Sequence, residues 1–131
     1  MFTNPAIQNL ALLAARVMLS VMYIIAGYRK IGGFAGTQKY MEAQGVPGAL
    51  LPVVIAAELG FGLMILLGYK TRLASFMLAG FTVLAALLFH LKLSDPVQYL
   101  MFMKNIAISG GFLALMVAGA GAYSVDGRRG E

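Results

Sequence analysis

Glu58 stands in the middle of an apolar run that extends from Leu50 to Leu67. A glutamate at the centre of a membrane-length helix costs about 2 to 3 kcal/mol, so it is retained mainly where it is paired, protonated or used. Arg16 is placed in the same way inside the apolar stretch from Leu10 to Leu19. Antiparallel packing would put the two at similar depth, and an arginine can pair bidentately with a carboxylate. We therefore predict an Arg16–Glu58 ion pair, with both residues catalytic and the carboxylate holding or relaying a proton.

Further polar residues follow Arg16 along one side of the same stretch. Ser20, Tyr23, Gly27 and Lys30 come after it at intervals of four, three, four and three residues. This spacing places them on one face of a helix. We predict that Tyr23 and Lys30 contact a ligand on that face.

Three more polar side chains are expected near the same membrane surface as Lys30. His90 closes one apolar stretch, and Lys104 and Asn105 stand early in the next. Up-and-down topology would bring them together with Lys30 as the mouth of a funnel that narrows toward Arg16 and Glu58. Basic and amide groups in a dry site stabilise an anion, or a carbonyl group that becomes anionic on reduction. The predicted ligand contacts are therefore Lys30, His90, Lys104, Asn105 and Tyr23.

Structural roles for the same residues remain open at this point. Arg16 and Glu58 could form a clasp that only fixes the helix arrangement. Lys30 could extend its ammonium group to the lipid head groups, as lysines at helix ends do. His90 could be a solvated helix-end residue.

The composition identifies the class of protein that must position these groups. Of the 131 residues, 60% are hydrophobic and 11% are charged, whereas soluble domains contain about 25% charged residues. The chain has no Cys and one His, which excludes thiol catalysis, bis-His haem and multi-His metal sites, so we predict neither metal nor haem. The net charge of +5 is scattered along the chain, which argues against nucleic acid as a partner.

Hydropathy divides the chain into four membrane spans of about 20 residues each. They cover roughly residues 7–28, 49–69, 73–91 and 97–123. Pro52 and Asp95-Pro96 mark helix starts, and Gly68 to Arg72 reads as a tight turn. The predicted fold is all-α, an integral membrane four-helix bundle with up-down-up-down topology, formed by residues 1–131 as a single domain. Residues 34–44 are expected to form either an interfacial helix or a plain loop, and the last residues a mobile tail.

The ordered set of these motifs resembles the DoxX family of small bacterial four-helix membrane proteins. The set comprises Arg16, Gly27-Tyr28-Arg29-Lys30, Glu58, Leu67-Gly68-Tyr69-Lys70-Thr71-Arg72, Phe89-His90 and Lys104-Asn105. The resemblance covers nearly the whole chain. It implies a multi-pass protein of the bacterial inner membrane and an oxidoreductase component. It also implies quinone chemistry, since related members are similar to the membrane subunit of thiosulfate:quinone oxidoreductase or act beside soluble redox enzymes.

Three functions are consistent with this sequence. The leading hypothesis is a DoxX-type redox-associated subunit that binds a quinone or a similar lipid-soluble carrier inside the bundle. Another is a non-catalytic membrane adaptor that recruits a soluble redox enzyme, and the third is a small anion transporter, for which four spans would require a homo-oligomer. Whether the chain turns over a substrate by itself stays open. Positive charges in the short loops favour both termini in the cytoplasm, with the funnel opening on the other side.

Overall fold

The computed structural model describes residues 3–130, and within that range every regular element is helical. The elements are α1 (Pro5–Gly32), α2 (Phe34–Ala43), a 3₁₀ turn (Gly48–Leu50), α3 (Leu51–Leu67), α4 (Thr71–Phe89), α5 (Pro96–Ala118) and α6 (Val125–Arg128). Four of the helices are long and apolar enough to cross a membrane: α1, α3 with its 3₁₀ turn, α4 and α5. The prediction of an all-α four-helix bundle is confirmed.

The helix boundaries follow from local chemistry. The Asn4 side chain accepts a hydrogen bond from the N–H of Ala6, and Asp95 accepts one from the N–H of Val97. Each of these caps precedes a proline, which lacks the N–H that the first helical turn would leave unpaired. Gly68 ends α3 in the left-handed region at φ 70°, where a residue without a Cβ is not strained. Local residues thus mark where α1 and α5 begin and where α3 turns back.

The bundle consists of two helix pairs. α1 packs along α3 and α4 packs along α5, and the two pairs meet mainly through α3 and α4. The central apolar cluster includes Ile65, Leu78 and Phe112, which have no exposed surface. Large apolar side chains such as Met18 and Val117 point outward and are more than two-thirds exposed, as expected for surfaces in contact with lipid.

The C-terminal segment closes one end of the bundle, which we call the terminal end and define as residues 68–72 and 119–130. Asp126 accepts hydrogen bonds from the N–H groups of Lys70 and Thr71, each at 2.8 Å, and so caps α4. Arg72 donates to the carbonyl oxygens of Met116 (3.0 Å) and Val117 at the end of α5. The predicted mobile tail is therefore wrong for residues 126–128, which belong to the helical turn α6 with Asp126 buried. Glu131 lies outside the described residues.

The opposite end of the bundle, which we call the cavity end, is covered by α2. The amide of Gln38 donates to the Gly48 carbonyl oxygen at 3.1 Å. The Tyr40 ring stacks on that of Phe89, with centroids 5.6 Å apart. Met41 is buried against Leu51. Of the two alternatives for residues 34–44, the structure has the helix.

Candidate functional site

Glu58 forms its ion pair with Lys30. The Lys30 Nζ lies 2.7 Å from Oε1 of Glu58, and the Glu58 side chain is 7% exposed while that of Lys30 is 28% exposed. The predicted Arg16–Glu58 pair is therefore wrong. The reason is the register between the two helices: α1 is longer than α3, so its C-terminal turns, and not its middle, lie opposite Glu58.

Small residues set this register between α1 and α3. A Cβ added to Gly27 would lie 2.8 Å from Cγ of Leu59 and 3.2 Å from Cβ of Glu58. A Cβ on Gly62 would lie 3.1 Å from Cγ1 of Ile24. The two helices thus approach closely through glycines, as is common between membrane helices. The close approach holds Lys30, one turn after Gly27, against Glu58.

Arg16 lies at the terminal end, fourteen residues and about 21 Å along α1 from Lys30. It is 1% exposed. Its Nη2 donates to the Tyr123 carbonyl oxygen at 2.6 Å and its Nη1 to that of Leu66 at 3.3 Å. It also interacts electrostatically with Asp126. Arg16 ties the C-terminal segment to the end of α3, which is the clasp role with a different partner.

A cavity of about 410 Å³ lies between α3 and α4, beneath α2. Its walls are mostly apolar, and the Lys30–Glu58 pair and His90 supply its charged and polar groups together with Thr37. Val53, Leu84 and Leu88 line it while being 65%, 54% and 44% exposed on the outer surface of the bundle. The cavity therefore borders the lipid as well as the roof formed by α2.

His90 lies where the sequence predicts it, at the cavity end. It follows the last turn of α4 and lines the cavity. Its Nδ1 is 3.0 Å from the Oε1 of Gln98 on α5. A hydrogen bond there fixes the ring orientation and leaves Nε2 for other partners. Lys30 and His90 thus form part of the predicted mouth.

Lys104 and Asn105 do not line the cavity. Lys104 is exposed on the outer side of α5. Asn105 turns the other way, and its Nδ2 lies 3.4 Å from the Thr82 carbonyl oxygen. Both side chains sit on α5, which packs mainly along α4 and contributes no side chain to the cavity wall. The predicted mouth therefore contains two of its four residues, because α5 does not border the space between α3 and α4.

Tyr23 is buried in the bundle interior next to the cavity residues. Its hydroxyl is hydrogen-bonded to the hydroxyl of Thr82 on α4, and its ring meets Phe112 edge-on with centroids 5.6 Å apart. It lies near enough to Glu58 for an electrostatic interaction. Tyr23 therefore lies in the interior of the bundle and does not line the cavity.

α2 contributes side chains to the cavity that were not among the predicted site residues. Thr37, Tyr40 and Met41 line it from above. Their spacing of three and four residues is the helical pattern that could have identified them. Phe89, the neighbour of His90, stacks on Tyr40 and completes the roof.

Comparison with known proteins agrees with this architecture. The DoxX family profile matches residues 11–91. Inner membrane protein YqjF of Escherichia coli (strain K12) is 52% identical over 120 residues, covering 92% of each chain. Inner membrane protein YphA of the same organism is 35% identical over 134 residues, covering 97% of this chain and 96% of the relative.

A more distant relative carries a name that refers to chemistry. The protein named "Putative oxidoreductase CatD" from Bacillus subtilis (strain 168) is 30% identical over 112 residues, covering 79% of this chain and 82% of the relative. No solved structure matches the chain at a significant level. With a family match over most of its length and two inner-membrane relatives that cover nearly all of it, the chain belongs to the DoxX family of multi-pass inner-membrane proteins.

Proposed function

We propose that this protein is a redox-associated inner-membrane subunit that binds a quinone, or a similar lipid-soluble carrier, in the cavity between α3 and α4. The observation that carries the proposal is the Lys30–Glu58 ion pair in the wall of an apolar cavity. An ion pair that only fixed the helices would be expected between packed side chains. This one borders open space of about 410 Å³, which is within the range of small-molecule sites.

The lining suits a flat ring with carbonyl oxygens and an apolar tail. Tyr40, Phe89 and Phe81 offer aromatic faces to a ring. The Lys30 ammonium group has three donors, and only one is needed for Glu58. The exposed rim of Val53, Leu84 and Leu88 would let an apolar tail reach the bilayer. Such a rim supports entry from the lipid in preference to entry of a water-soluble anion.

The residues of the cavity have distinct tasks in this proposal. A quinone supplies the exchange of two electrons and two protons when bound. Lys30 donates a hydrogen bond to a carbonyl oxygen and stabilises negative charge there, most strongly because water is scarce. Glu58, a carboxylate in its pair with Lys30, would relay the two protons to the oxygen atoms one at a time, and Lys30 would compensate its charge between transfers. His90, oriented by Gln98, positions the ring at the mouth.

The electrons come from a partner in this proposal. The chain has no Cys and a single His, so it offers no thiol pair and no side-chain set for a cluster or haem. The name of the Bacillus relative supports a place in an oxidoreductase system. A soluble redox enzyme that docks on the bundle would supply the electrons. With both termini in the cytoplasm, the cavity end would face the outer surface.

The test is quinone retention by the purified protein. We expect solvent extraction of protein purified in mild detergent to release a lipid quinone, and decylubiquinone to bind saturably. Lys30→Met and Glu58→Gln should each weaken decylubiquinone binding about tenfold, because each removes a hydrogen bond or a charge at a buried site. Lys104→Met, which changes an exposed lysine of another span, is the matched control and should bind as the parent does.

Two results would contradict the proposal. One is the absence of extractable quinone together with no saturable decylubiquinone binding. The other is equal binding by Lys30→Met and the parent. A soluble enzyme that co-purifies in stoichiometric amount without any quinone would favour the adaptor function instead.

A further inference from the structure

The most buried face of α1 is polar. The buried residues of this helix are Arg16, Ser20, Tyr23 and Gly27, while its large apolar side chains, such as Met18 and Ile25, face outward. Polar groups inside a membrane bundle are costly and are typical of ion or proton pathways. Helix packing alone accounts for small residues such as Ser20 and Gly27, but not for a buried arginine and a buried tyrosine.

The hydroxyl groups of α4 continue this face across the bundle. Thr71, Ser75 and Thr82 are each at most 2% exposed. Since α1 and α4 run in the same direction and are joined by the Tyr23–Thr82 hydrogen bond, Arg16 and Ser75, each seven residues earlier, lie at one depth. Ser20 lies between the two levels, about 6 Å along the axis from Arg16 and about 4.5 Å from Tyr23. Polar groups therefore recur at roughly every turn from the terminal end to Tyr23.

Several of these groups point to buried water. The Nε of Arg16, the Oγ1 of Thr71 and the Oγ of Ser75 have no hydrogen-bond partner among the described residues, although all three are buried. Buried donors without a protein partner are usually satisfied by ordered water. A cavity of about 150 Å³ at the terminal end is lined by Thr71, Asp126 and the exposed Lys70 and Arg72. Water can therefore reach the series of hydroxyl groups from the terminal end.

We propose that these groups and the water between them form a proton path from the terminal end of the bundle to Glu58. The path begins at Asp126, continues past Thr71, Ser75 and Ser20, and crosses to Glu58 at the Tyr23–Thr82 hydrogen bond. It deepens the proposed function, on which it rests for the use of the proton in the cavity. The path also adds an activity, which is proton transfer from one end of the bundle to the other. Glu58 connects the path to the cavity end because it is paired with Lys30, which is part-exposed.

The chemistry along the path leaves the side chains unchanged. Each hydroxyl or water accepts one proton on its oxygen and donates another onward, so that bonds formed and broken balance at every step. The positive charge of Arg16 would repel a proton if it stood alone. Asp126 interacts electrostatically with Arg16 and offsets that charge. Ile65, Leu78 and Phe112 pack around Tyr23, so the route is narrow there, and Tyr23 and Thr82 form its critical step.

Proton flux into vesicles tests the path without any quinone. The protein is reconstituted into vesicles loaded with a pH-sensitive dye, the membrane potential is clamped with potassium and valinomycin, and the outside is acidified. We expect flux about tenfold above that of protein-free vesicles, as for a relay through buried groups. Tyr23→Phe and Thr82→Val should each remove most of this excess. Tyr28→Phe, an exposed tyrosine of the same helix, should leave it unchanged.

Cysteine accessibility tests the water in the path independently. The chain has no Cys, so Ser75→Cys and Ala74→Cys each introduce one thiol at neighbouring positions that are both fully buried. Silver ions react with thiolates, which require water. We expect Ser75→Cys to react about tenfold faster than Ala74→Cys. Equal reaction rates, or parent flux no greater than that of protein-free vesicles, would overturn the path. Neither assay contains quinone, so a path with no quinone binding would contradict the proposed function alone.

Discussion

Replacing Lys30 with methionine is expected to lower the free energy of unfolding by about 3 to 5 kcal/mol. The substitution leaves the Glu58 carboxylate buried and without its ion-pair partner, and removing one member of a buried pair costs this much. Equilibrium unfolding in mixed micelles measures the change. The loss should be large because the Glu58 side chain is only 7% exposed.

The converse substitution is expected to be milder. Glu58→Gln leaves Lys30 without a carboxylate, but the lysine is 28% exposed and can extend its ammonium group toward water. The double variant Lys30→Met with Glu58→Met removes both charges and should recover most of the stability lost in Lys30→Met. Lys104→Met is the control for loss of a lysine from a span.

Other stability changes would show that the Lys30–Glu58 ion pair does not stabilise the bundle. If Lys30→Met were as stable as Lys104→Met, the ion pair would contribute nothing to folding. If exchanging the charges of Arg16 and Glu58 preserved stability, Arg16 would have to be the partner of Glu58 after all. The contacts of Arg16 with Leu66 and Tyr123 predict instead that this exchange is severely destabilising.

Gly68→Ala is expected to destabilise the protein by about 3 kcal/mol or more, because it combines backbone strain with a steric clash. Gly68 has φ 70°, and an added Cβ would lie 2.2 Å from Nη1 of Arg16 and 2.3 Å from Cβ of Ser124. Arg16 cannot swing aside without losing its hydrogen bonds to Leu66 and Tyr123. The same unfolding measurement would detect this effect.

Substitutions at two other glycines distinguish backbone strain from the steric clash at Gly68. Gly45 also has a positive φ, of 81°, but open space around it, so Gly45→Ala should show only the backbone cost of about 1 kcal/mol. Gly80 is helical with open space, and Gly80→Ala should be neutral or slightly stabilising. If Gly68→Ala cost no more than Gly45→Ala, the packing of Arg16 against the turn would be loose.

The architecture could be predicted from the sequence because its signals are local. Membrane helices need long apolar stretches, and their starts are marked by Pro52 and by Asp95 with Pro96. The Gly68 turn is equally local, since a left-handed residue favours glycine wherever it occurs. These features depend on the chain within a few residues of each position.

The ion pair could not be predicted because it depends on the register between two helices. Arg16 was predicted to pair with Glu58 because both residues lie near the middle of their apolar stretches. However, α1 extends beyond the predicted span to Gly32, so the middle of α1 does not lie opposite Glu58. The close approach at Gly27 then fixes which turns face each other. The spacing of Arg16, Tyr23 and Lys30 correctly placed them on one face, and yet it carried no information on their depth relative to α3.

The C-terminal segment shows a second limit of prediction from the sequence. Hydropathy extended the fourth span to Tyr123, whereas α5 ends at Ala118 because Gly119 has φ 80°. Gly119 and Gly121, both with positive φ, are the local signal that could have ended the predicted span earlier. What the sequence did not reveal is that Asp126 caps α4, because such a contact joins residues that are distant along the chain.

Photolabelling with an azido-quinone in membranes tests most directly whether the cavity holds the carrier. We expect label, competed by excess unlabelled quinone, in the peptides that contain residues 50–58 and 81–90, which line the cavity. Lys30→Met should lower this labelling, and Lys104→Met should not. Competed label confined to the outer face of α5, around Lys104, would contradict a quinone site between α3 and α4.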